Sequence, residues 1–161
     1  MADSSLYDDD VYAWSEQQAA VLRRLAARGE LPNELDWINV AEEIEDVGSS
    51  QRHAVESYLE SIFVHLLLIW GEPYAPPVDH WMDEILTWRS NTKRRATKTM
   101  MARIDLDAIW TDAVARAVLK SKRGEAVRAR WPGPGSICPY GWDDLLAESF
   151  DPRIMAARLS A

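Results

Sequence analysis

Apolar residues recur every three or four positions along most of the chain, and no stretch shows sustained alternation between apolar and polar residues. A repeat of three to four residues places apolar side chains on one face of an α-helix, whereas a half-buried strand needs a repeat of two. The pattern therefore predicts an all-α fold, a bundle of four to five helices, mainly up-and-down, with a loop-rich C-terminal segment.

Glycines, prolines and capping residues divide this pattern into separate helices. Small polar or acidic residues stabilise a helix start, glycine favours a helix end, and proline breaks a helix interior. An acidic run also suits the positive end of a helix dipole. The first predicted helix starts around Asp8–Asp10 and stops at Gly29. The second follows Asp36 and ends at Gly48, and the third runs from a cap at Ser49 or Ser50 to Gly71, before a break at Pro73–Pro77. The fourth starts near Val78, and the fifth starts near Asp105 and extends through Gly124 towards Arg130.

Length and composition favour a single folded domain. The chain has 161 residues, 47% apolar and 27% charged, and its eight Trp and five Tyr supply large apolar side chains. A chain of this length buries most of the surface that its unfolded form exposes. We predict one helical-bundle domain over 1–161, with the bundle in about 6–130 and, in 131–161, a loop and a short closing helix around Trp142–Ala147.

The termini and the apolar runs give no sign of export or membrane insertion. The first twenty residues contain no Lys or Arg, unlike a secretory signal. The longest apolar stretch, Ile62–Trp70, is too short to span a bilayer. The single Cys138 excludes an internal disulfide and suits a reducing compartment. The sequence therefore predicts a soluble, cytoplasmic protein.

Charge is distributed unevenly along the chain. Residues 1–88 carry 18 acidic and 4 basic side chains, residues 89–130 carry 12 basic and 4 acidic ones, and the whole chain has a net charge of −8. This overall charge argues against nucleic acid as a partner, because nucleic-acid binding needs a surplus of Lys and Arg. The basic segment 89–103 either binds an anion or lies against the acidic N-terminal half of its own or a neighbouring chain. The second interpretation is favoured, since opposite charges compensate first.

Two polar residues, Glu43 and His65, fall at the edges of predicted apolar stripes. At 100° per residue, Glu43 lies near the margin of its stripe, whereas Glu42 lies on the opposite, solvated side. His65 lies at the margin of the next stripe, and Arg52 lies unusually close to the same stripe. These positions make Glu43, His65 and Arg52 candidates for a site or for buried ion pairs.

Two interpretations of these residues are open. In one, Glu43 and His65, with Glu42 or His80, form a metal site between helices, as inward Glu and His residues do in metal-binding bundles. The Glu-x-x-His step usual for such sites does not occur here. In the other, Glu43 forms a structural ion pair with Arg52 or Arg89. Burying a carboxylate without a partner costs on the order of several kcal/mol, so a buried Glu43 would need a cation beside it. We favour the ion pair and predict no cofactor.

Other catalytic arrangements have less support. Cys138 has no neighbouring His in sequence, and a free Cys is more often a small packed residue than a nucleophile. No Gly-x-Ser-x-Gly or phosphate-binding Gly-x4-Gly-Lys motif occurs. The Trp residues, at helical spacing, are better interpreted as core than as a cofactor cage.

Short motifs stand in a fixed order along the chain. They are Tyr7-x-x-Asp10-x-Tyr12-x-Trp14; Leu35-Asp36, Asn39, Glu42-Glu43-Ile44-Glu45, Gly48 and Arg52; His65-Leu66-Leu67, Trp81, Ile85 and Arg89; and Cys138-Pro139-Tyr140. Taken together, these motifs resemble an uncharacterised bacterial family, domain of unknown function twenty-nine. The resemblance implies an all-helical fold and no transferable activity or cofactor. The chain departs from the family pattern at Val11, where an aromatic is common, and at Leu68, His80 and Trp88, where Lys, Ser and Gln are common.

The uneven charge is the feature that points to a function. An acidic N-terminal half and a basic segment supply complementary patches for association. We therefore predict a non-enzymatic helical-bundle protein that acts through a protein partner or as a homo-oligomer. The alternative is a metal-dependent enzyme with the Glu/His site, and a third is an accessory to nucleic-acid metabolism through basic residues 89–98.

Overall fold

Helices account for the regular structure of the chain. The computed structural model describes residues 4–29, 32 and 34–160, and no strand occurs in these ranges, so the all-α class is confirmed. Five of these helices span only five to seven residues. Helices this short produce no clear helical repeat in the sequence, which is why we predicted only four to five helices. The elements are α1 Ser4–Asp9, α2 Val11–Ala27, α3 Trp37–Gly71, α4 Val78–Arg95, α5 Lys98–Arg103, α6 Leu106–Lys120, α7 Gly124–Arg130, α8 Trp142–Leu146, α9 Pro152–Ala157 and a 3₁₀ turn, Arg158–Ser160.

The chain divides into two compact units. The first contains Met1–Ala54 and Ala96–Ile104, and the second contains Val55–Arg95 and Asp105–Ala161. The single domain expected over 1–161, with its bundle in about 6–130, stays a prediction. The closing helix expected near Trp142 is present as α8, and α9 follows it.

α3 is one helix of 35 residues, so the break expected at Gly48 is wrong. Gly48 is buried, and a Cβ atom there would lie 2.1 Å from the Oγ atom of Ser15 on α2. Glycine at this position allows α2 and α3 to approach closely and does not end the helix. The caps expected at Ser49 and Ser50 are therefore not needed.

The start of the first unit is divided at Asp10. The Asp10 side chain accepts a hydrogen bond from the Ala13 backbone N–H and caps α2, which separates α2 from the short α1. We had expected a single helix to begin at this acidic run. Tyr12 and Ser15 are among the buried residues of α2. The Ser15 hydroxyl donates a hydrogen bond to the Tyr12 carbonyl oxygen.

Aromatic rings form the centre of the second unit. Phe63 of α3 contacts Trp110 of α6 edge-on, with ring centroids 5.5 Å apart, and stacks on Tyr140 at 5.9 Å. Trp131 contacts Trp110 at 5.2 Å, and the Tyr140 hydroxyl donates to the Met155 carbonyl oxygen. Trp110 is fully buried. Of the eight Trp residues expected as core, Trp110 and Trp131 are buried and the other six are partly exposed. The aromatic cluster also ties the C-terminal segment to the second unit.

α6 ends at Lys120, so the extension through Gly124 is wrong. Ser121 adopts an extended conformation after its backbone N–H donates to the Ala117 carbonyl oxygen, and α7 starts at Gly124. A Cβ atom on Gly124 would lie 2.2 Å from the Val118 carbonyl oxygen. The chain therefore turns back against the end of α6, and glycine is required at the contact.

α3 is long and apolar enough to cross a membrane by length and composition. A stretch of 18 residues within it has a mean hydropathy of 1.3, and 56% of that stretch is buried inside the protein. The core helix of a soluble protein has these properties too. We had expected no apolar run long enough to span a membrane, because we considered Ile62–Trp70 alone and not the 35-residue helix that contains it. The second unit, where most of that run is packed, has the buried core of a soluble helical domain.

Candidate functional site

The acidic candidates Glu42 and Glu43 are both exposed. The buried face of this part of α3 centres on Ala41, which is fully buried, and on Gly48. Val47, by contrast, is 46% exposed. Because small residues mark the buried face, the wheel drawn from the large apolar residues placed Glu43 too close to the core. Within the described ranges, Glu43 forms no ion pair.

The expected metal ligands do not converge. Glu43 and His65 both lie on α3, 22 positions apart, which is about six helical turns. In the part of the chain that the structure describes, no three His, Cys, Asp or Glu side chains are placed to hold a metal ion. The geometry therefore gives no support to a site made by Glu42, Glu43, His65 and His80.

Arg89, one expected partner of Glu43, binds backbone carbonyls instead. Its Nε atom donates to the Leu145 carbonyl oxygen at 2.8 Å, and a terminal nitrogen donates to the Ala147 carbonyl oxygen. The guanidinium carbon also lies 4.8 Å from the centroid of the Phe150 ring. Arg89 thus fastens the segment after α8 to α4. Arg52, the other expected partner, is half-buried on α3.

His65 lies at the edge of the core and meets a carboxylate that we had not predicted. Its Nδ1 atom is 2.9 Å from the Ser61 carbonyl oxygen, and its Nε2 atom is 3.1 Å from Oε2 of Glu84. Oε1 of Glu84 is 3.5 Å from Nε2 of His80. His80 and Glu84 are four residues apart on α4, a spacing that places both side chains on one helix face. This spacing is visible in the sequence and could have indicated the pair.

The surroundings of His65 set its protonation. Its side chain is 14% exposed, and Trp88 packs edge-on against the ring at 4.8 Å. Burial has the largest effect and lowers the pKa of His65, and the Lys120 ammonium acts in the same direction. The Ser61 carbonyl and Glu84 oppose this shift. The contact between His65 and Glu84 becomes an ion pair only when the imidazole takes up a second proton at lower pH.

Cys138 lacks the environment of a catalytic thiol. Burial raises the pKa of Cys138 to about 12, so the thiol is protonated at neutral pH. A nucleophilic cysteine needs thiolate character, which this environment suppresses. The backbone N–H of Cys138 donates to Oδ1 of Asp107, which holds this loop against α6.

Part of the basic segment is compensated within each unit. In the second unit, Lys93 pairs with Glu148 at 2.6 Å and Arg116 with Glu60 at 2.9 Å. In the first unit, Arg103 lies 3.4 Å from Glu16. Lys93 and Arg103 belong to segment 89–103, whereas Arg116 lies outside it. Of the partners of Lys93 and Arg103, Glu16 belongs to the acidic N-terminal half and Glu148 does not, so the pairing that we favoured is seen at Arg103.

An apolar groove lies between α6, α7 and the loop that follows them. It encloses about 500 Å³. Its floor is formed by Val114 and Trp131, which are both buried. Leu119 stands at its rim with 85% of its surface exposed. Most of the lining is apolar, and Asp112 and Arg128 supply its charges. The lining residues are Thr111, Asp112, Val114, Ala115, Val118, Leu119, Arg128, Trp131, Pro132, Gly133 and Pro134.

This groove was not predicted from the sequence. The apolar stripe expected for this helix consisted of Leu106, Ile109, Ala113 and Ala117, and Ala115, Val118 and Leu119 were not assigned to it. On a helical wheel these three fall outside that stripe, by more than 100° from Ala113. Apolar residues outside the buried arc were the available signal, and Leu119 was the strongest of them because of its size.

Comparisons with known proteins agree with the helical fold and give no activity. The chain is similar to an alpha-helical protein of unknown function from Rhodospirillum rubrum ATCC 11170, whose crystal structure superposes with a TM-score of 0.76. The two are 33% identical, over 95% of this chain and 96% of that one. No curated protein matches the chain.

The match to a family model covers most of the sequence. The model of the domain of unknown function DUF29 matches residues 6–151. This range includes the C-terminal motif Cys138-Pro139-Tyr140. The chain therefore belongs to the DUF29 family, a family whose function is unknown.

Proposed function

We propose that the protein acts without catalysis, by docking an acidic, partly apolar segment of a protein partner in the groove between α6 and α7. The observation that carries the proposal is Leu119, which is 85% exposed beside a floor made by Val114 and Trp131. Burying a leucine side chain contributes about 1.5–3 kcal/mol. A partner that covers this rim would gain that contribution.

The charge around the groove indicates the chemistry of the partner. The lining itself carries one acid, Asp112, and one base, Arg128, and residues 112–130 as a whole contain six basic and two acidic side chains, in a protein with a net charge of −8. Arg116 is already paired with Glu60, whereas Arg128 is exposed at the rim and forms no ion pair within the described part of the chain. A complementary partner therefore carries acidic residues beside its apolar anchor.

A second copy of this chain carries such a segment. The last four residues of α1 and the residue after it read Leu6-Tyr7-Asp8-Asp9-Asp10; the Tyr7 ring packs edge-on with Trp14 on one side and is 54% exposed. We therefore take a second copy as the partner. Docking of this segment into the groove of another copy is a head-to-tail contact, which builds rings or longer assemblies.

Binding of a labelled peptide tests the docking. We expect a peptide with the sequence of Leu6–Asp10 to bind and to raise the fluorescence anisotropy of its label. The affinity should fall when salt is raised from about 50 mM to about 500 mM, because exposed charges are screened. Arg128→Glu should weaken binding at least about tenfold, or about 1.4 kcal/mol.

Arg94→Glu is the matched control. Arg94 is exposed on α4 and the same charge change there should leave peptide binding unaltered. A peptide that binds wild type and Arg128→Glu equally would contradict the proposal. Sedimentation of the whole chain identifies the partner: a mass that falls with rising salt supports a second copy. Peptide binding by a chain that is monomeric at every salt concentration indicates a different acidic protein.

The proposed docking needs neither metal nor cofactor. We expect elemental analysis of untagged protein, purified without chelator and incubated with manganese, iron or zinc, to give far less than one metal ion per chain. The reason is that no predicted ligand set converges. Near-unit occupancy that is lost in both Glu43→Gln and His65→Ala would contradict this and favour the metal-dependent enzyme.

We also propose a cytoplasmic location. Cys138 is a free, protonated thiol, which suits a reducing compartment. Cell fractionation with a tagged full-length chain tests this, and recovery in the membrane fraction would contradict it.

A further inference from the structure

A second cavity, of about 420 Å³, lies beside His65 and is separate from the groove in its lining. This volume falls within the range of small-molecule sites in proteins. One wall is apolar and is formed by Leu68, Pro76, Pro77 and Trp81. The edge of the Trp81 ring system packs near His65, with ring centroids 6.3 Å apart, so the wall and the imidazole are parts of one surface.

The charged part of the cavity lining is cationic on balance, with two lysines and one carboxylate. Lys120 and Lys122 are both exposed, and neither forms an ion pair within the described ranges. The carboxylate, Glu72, accepts a hydrogen bond from the Lys122 backbone N–H at 2.8 Å through Oε1. One of its two oxygens is thus held by the backbone, and the lysines exceed the carboxylate by one positive charge that a ligand anion would meet.

We infer that this cavity binds a small organic carboxylate with a planar apolar body. The carboxylate would be held by Lys120 and Lys122, and the apolar body would lie against Trp81 and the two prolines. An apolar wall with a few convergent polar groups is the usual composition of a small-molecule site. His65 also lines the cavity, so an anion bound there would interact with its imidazole.

Benzoate is a suitable probe of this inference. We expect benzoate to shift the NMR signals of the His65 imidazole in a saturable manner in the full chain. Benzamide has the same shape without the charge and should bind at least about tenfold more weakly. Inorganic phosphate has charge without an apolar body and should also bind more weakly than benzoate. Equal binding of benzamide would overturn the cationic part of the inference, and stronger binding of phosphate would overturn the apolar part.

A pH titration adds a second readout. The titratable and charged groups around His65 are Glu84, which also contacts His80, and the other charged residues of the cavity lining, Glu72, Lys120 and Lys122. A bound benzoate adds a negative charge that favours the protonated imidazole, so the midpoint of the His65 titration should move to higher pH. An unchanged midpoint under saturating benzoate would overturn the placement of the carboxylate beside His65.

Variants separate this site from the docking groove. Lys120→Met with Lys122→Met keeps the aliphatic stems and should weaken benzoate binding at least about tenfold. Lys98→Met, an exposed lysine on α5, is the matched control and should bind as wild type does. Arg128→Glu should impair peptide docking without changing benzoate binding. Wild-type affinity in the Lys120 and Lys122 double variant, or no shift of His65 signals in the wild type, would overturn the inference.

Discussion

Replacing Arg89 with Met should lower the free energy of unfolding by about 3 kcal/mol, because two hydrogen bonds from a charged group are lost and each contributes about 1.5–3 kcal/mol. The guanidinium binds the carbonyl oxygens of Leu145 and Ala147 and packs on Phe150. Met preserves the length of the side chain without its donors. For a chain of this size, thermal melting should show a fall of about 6–12 °C.

Arg94→Met is the control for this substitution. Arg94 lies on the same helix, is exposed, and donates only to the Asn91 side chain within the described residues. We expect its effect on the free energy of unfolding to stay within about 0.5 kcal/mol. Equal effects of the two substitutions would show that the carbonyl contacts of Arg89 do not hold the C-terminal segment.

Gly124→Ala should lower the free energy of unfolding by about 2–3 kcal/mol, the upper part of the range for an overpacked position. The added Cβ atom would lie 2.2 Å from the Val118 carbonyl oxygen and 3.1 Å from its carbonyl carbon. These are backbone atoms, so no side-chain rotation relieves the clash. The turn between α6 and α7 must open, and urea denaturation should show a lower midpoint.

The same substitution should weaken docking, because α6 and α7 form the walls of the groove. Gly141→Ala is the matched control, since a Cβ atom there meets only Oδ2 of Asp144, at 3.9 Å, and the backbone is extended with φ −97°. We expect it to cost less than about 1 kcal/mol. A Gly124→Ala chain as stable as Gly141→Ala would contradict the tight turn.

The sequence predicted helices well where apolar repeats were long and capping residues clear. The start of α4 at Val78, the end of α3 at Gly71 and the cap of α6 by Asp105 follow from local chemistry, since proline, glycine and aspartate act on their own neighbours. Gly48 was misjudged because its role depends on Ser15, a residue 33 positions away. A close approach between helices leaves no signal at the glycine itself.

The candidate site was predicted only in part for a similar reason. His65 was placed correctly at the core edge by its helical position. Its partner Glu84 was not found, because it comes from another helix and a helical wheel describes one helix at a time. Glu43 was misplaced because Ala41 and Gly48, small residues with little weight in a hydrophobic pattern, mark the buried face.

Methyl NMR of the full chain, with the peptide of Leu6–Asp10 added stepwise, tests the docking groove most directly. We predict that the methyl signals of Val114, Val118 and Leu119 shift together and saturate, because these side chains form the floor and rim of the groove. The signals of Leu68, beside the second cavity, should not move. No shift at Leu119, or shifts confined to Leu68, would contradict docking in the groove.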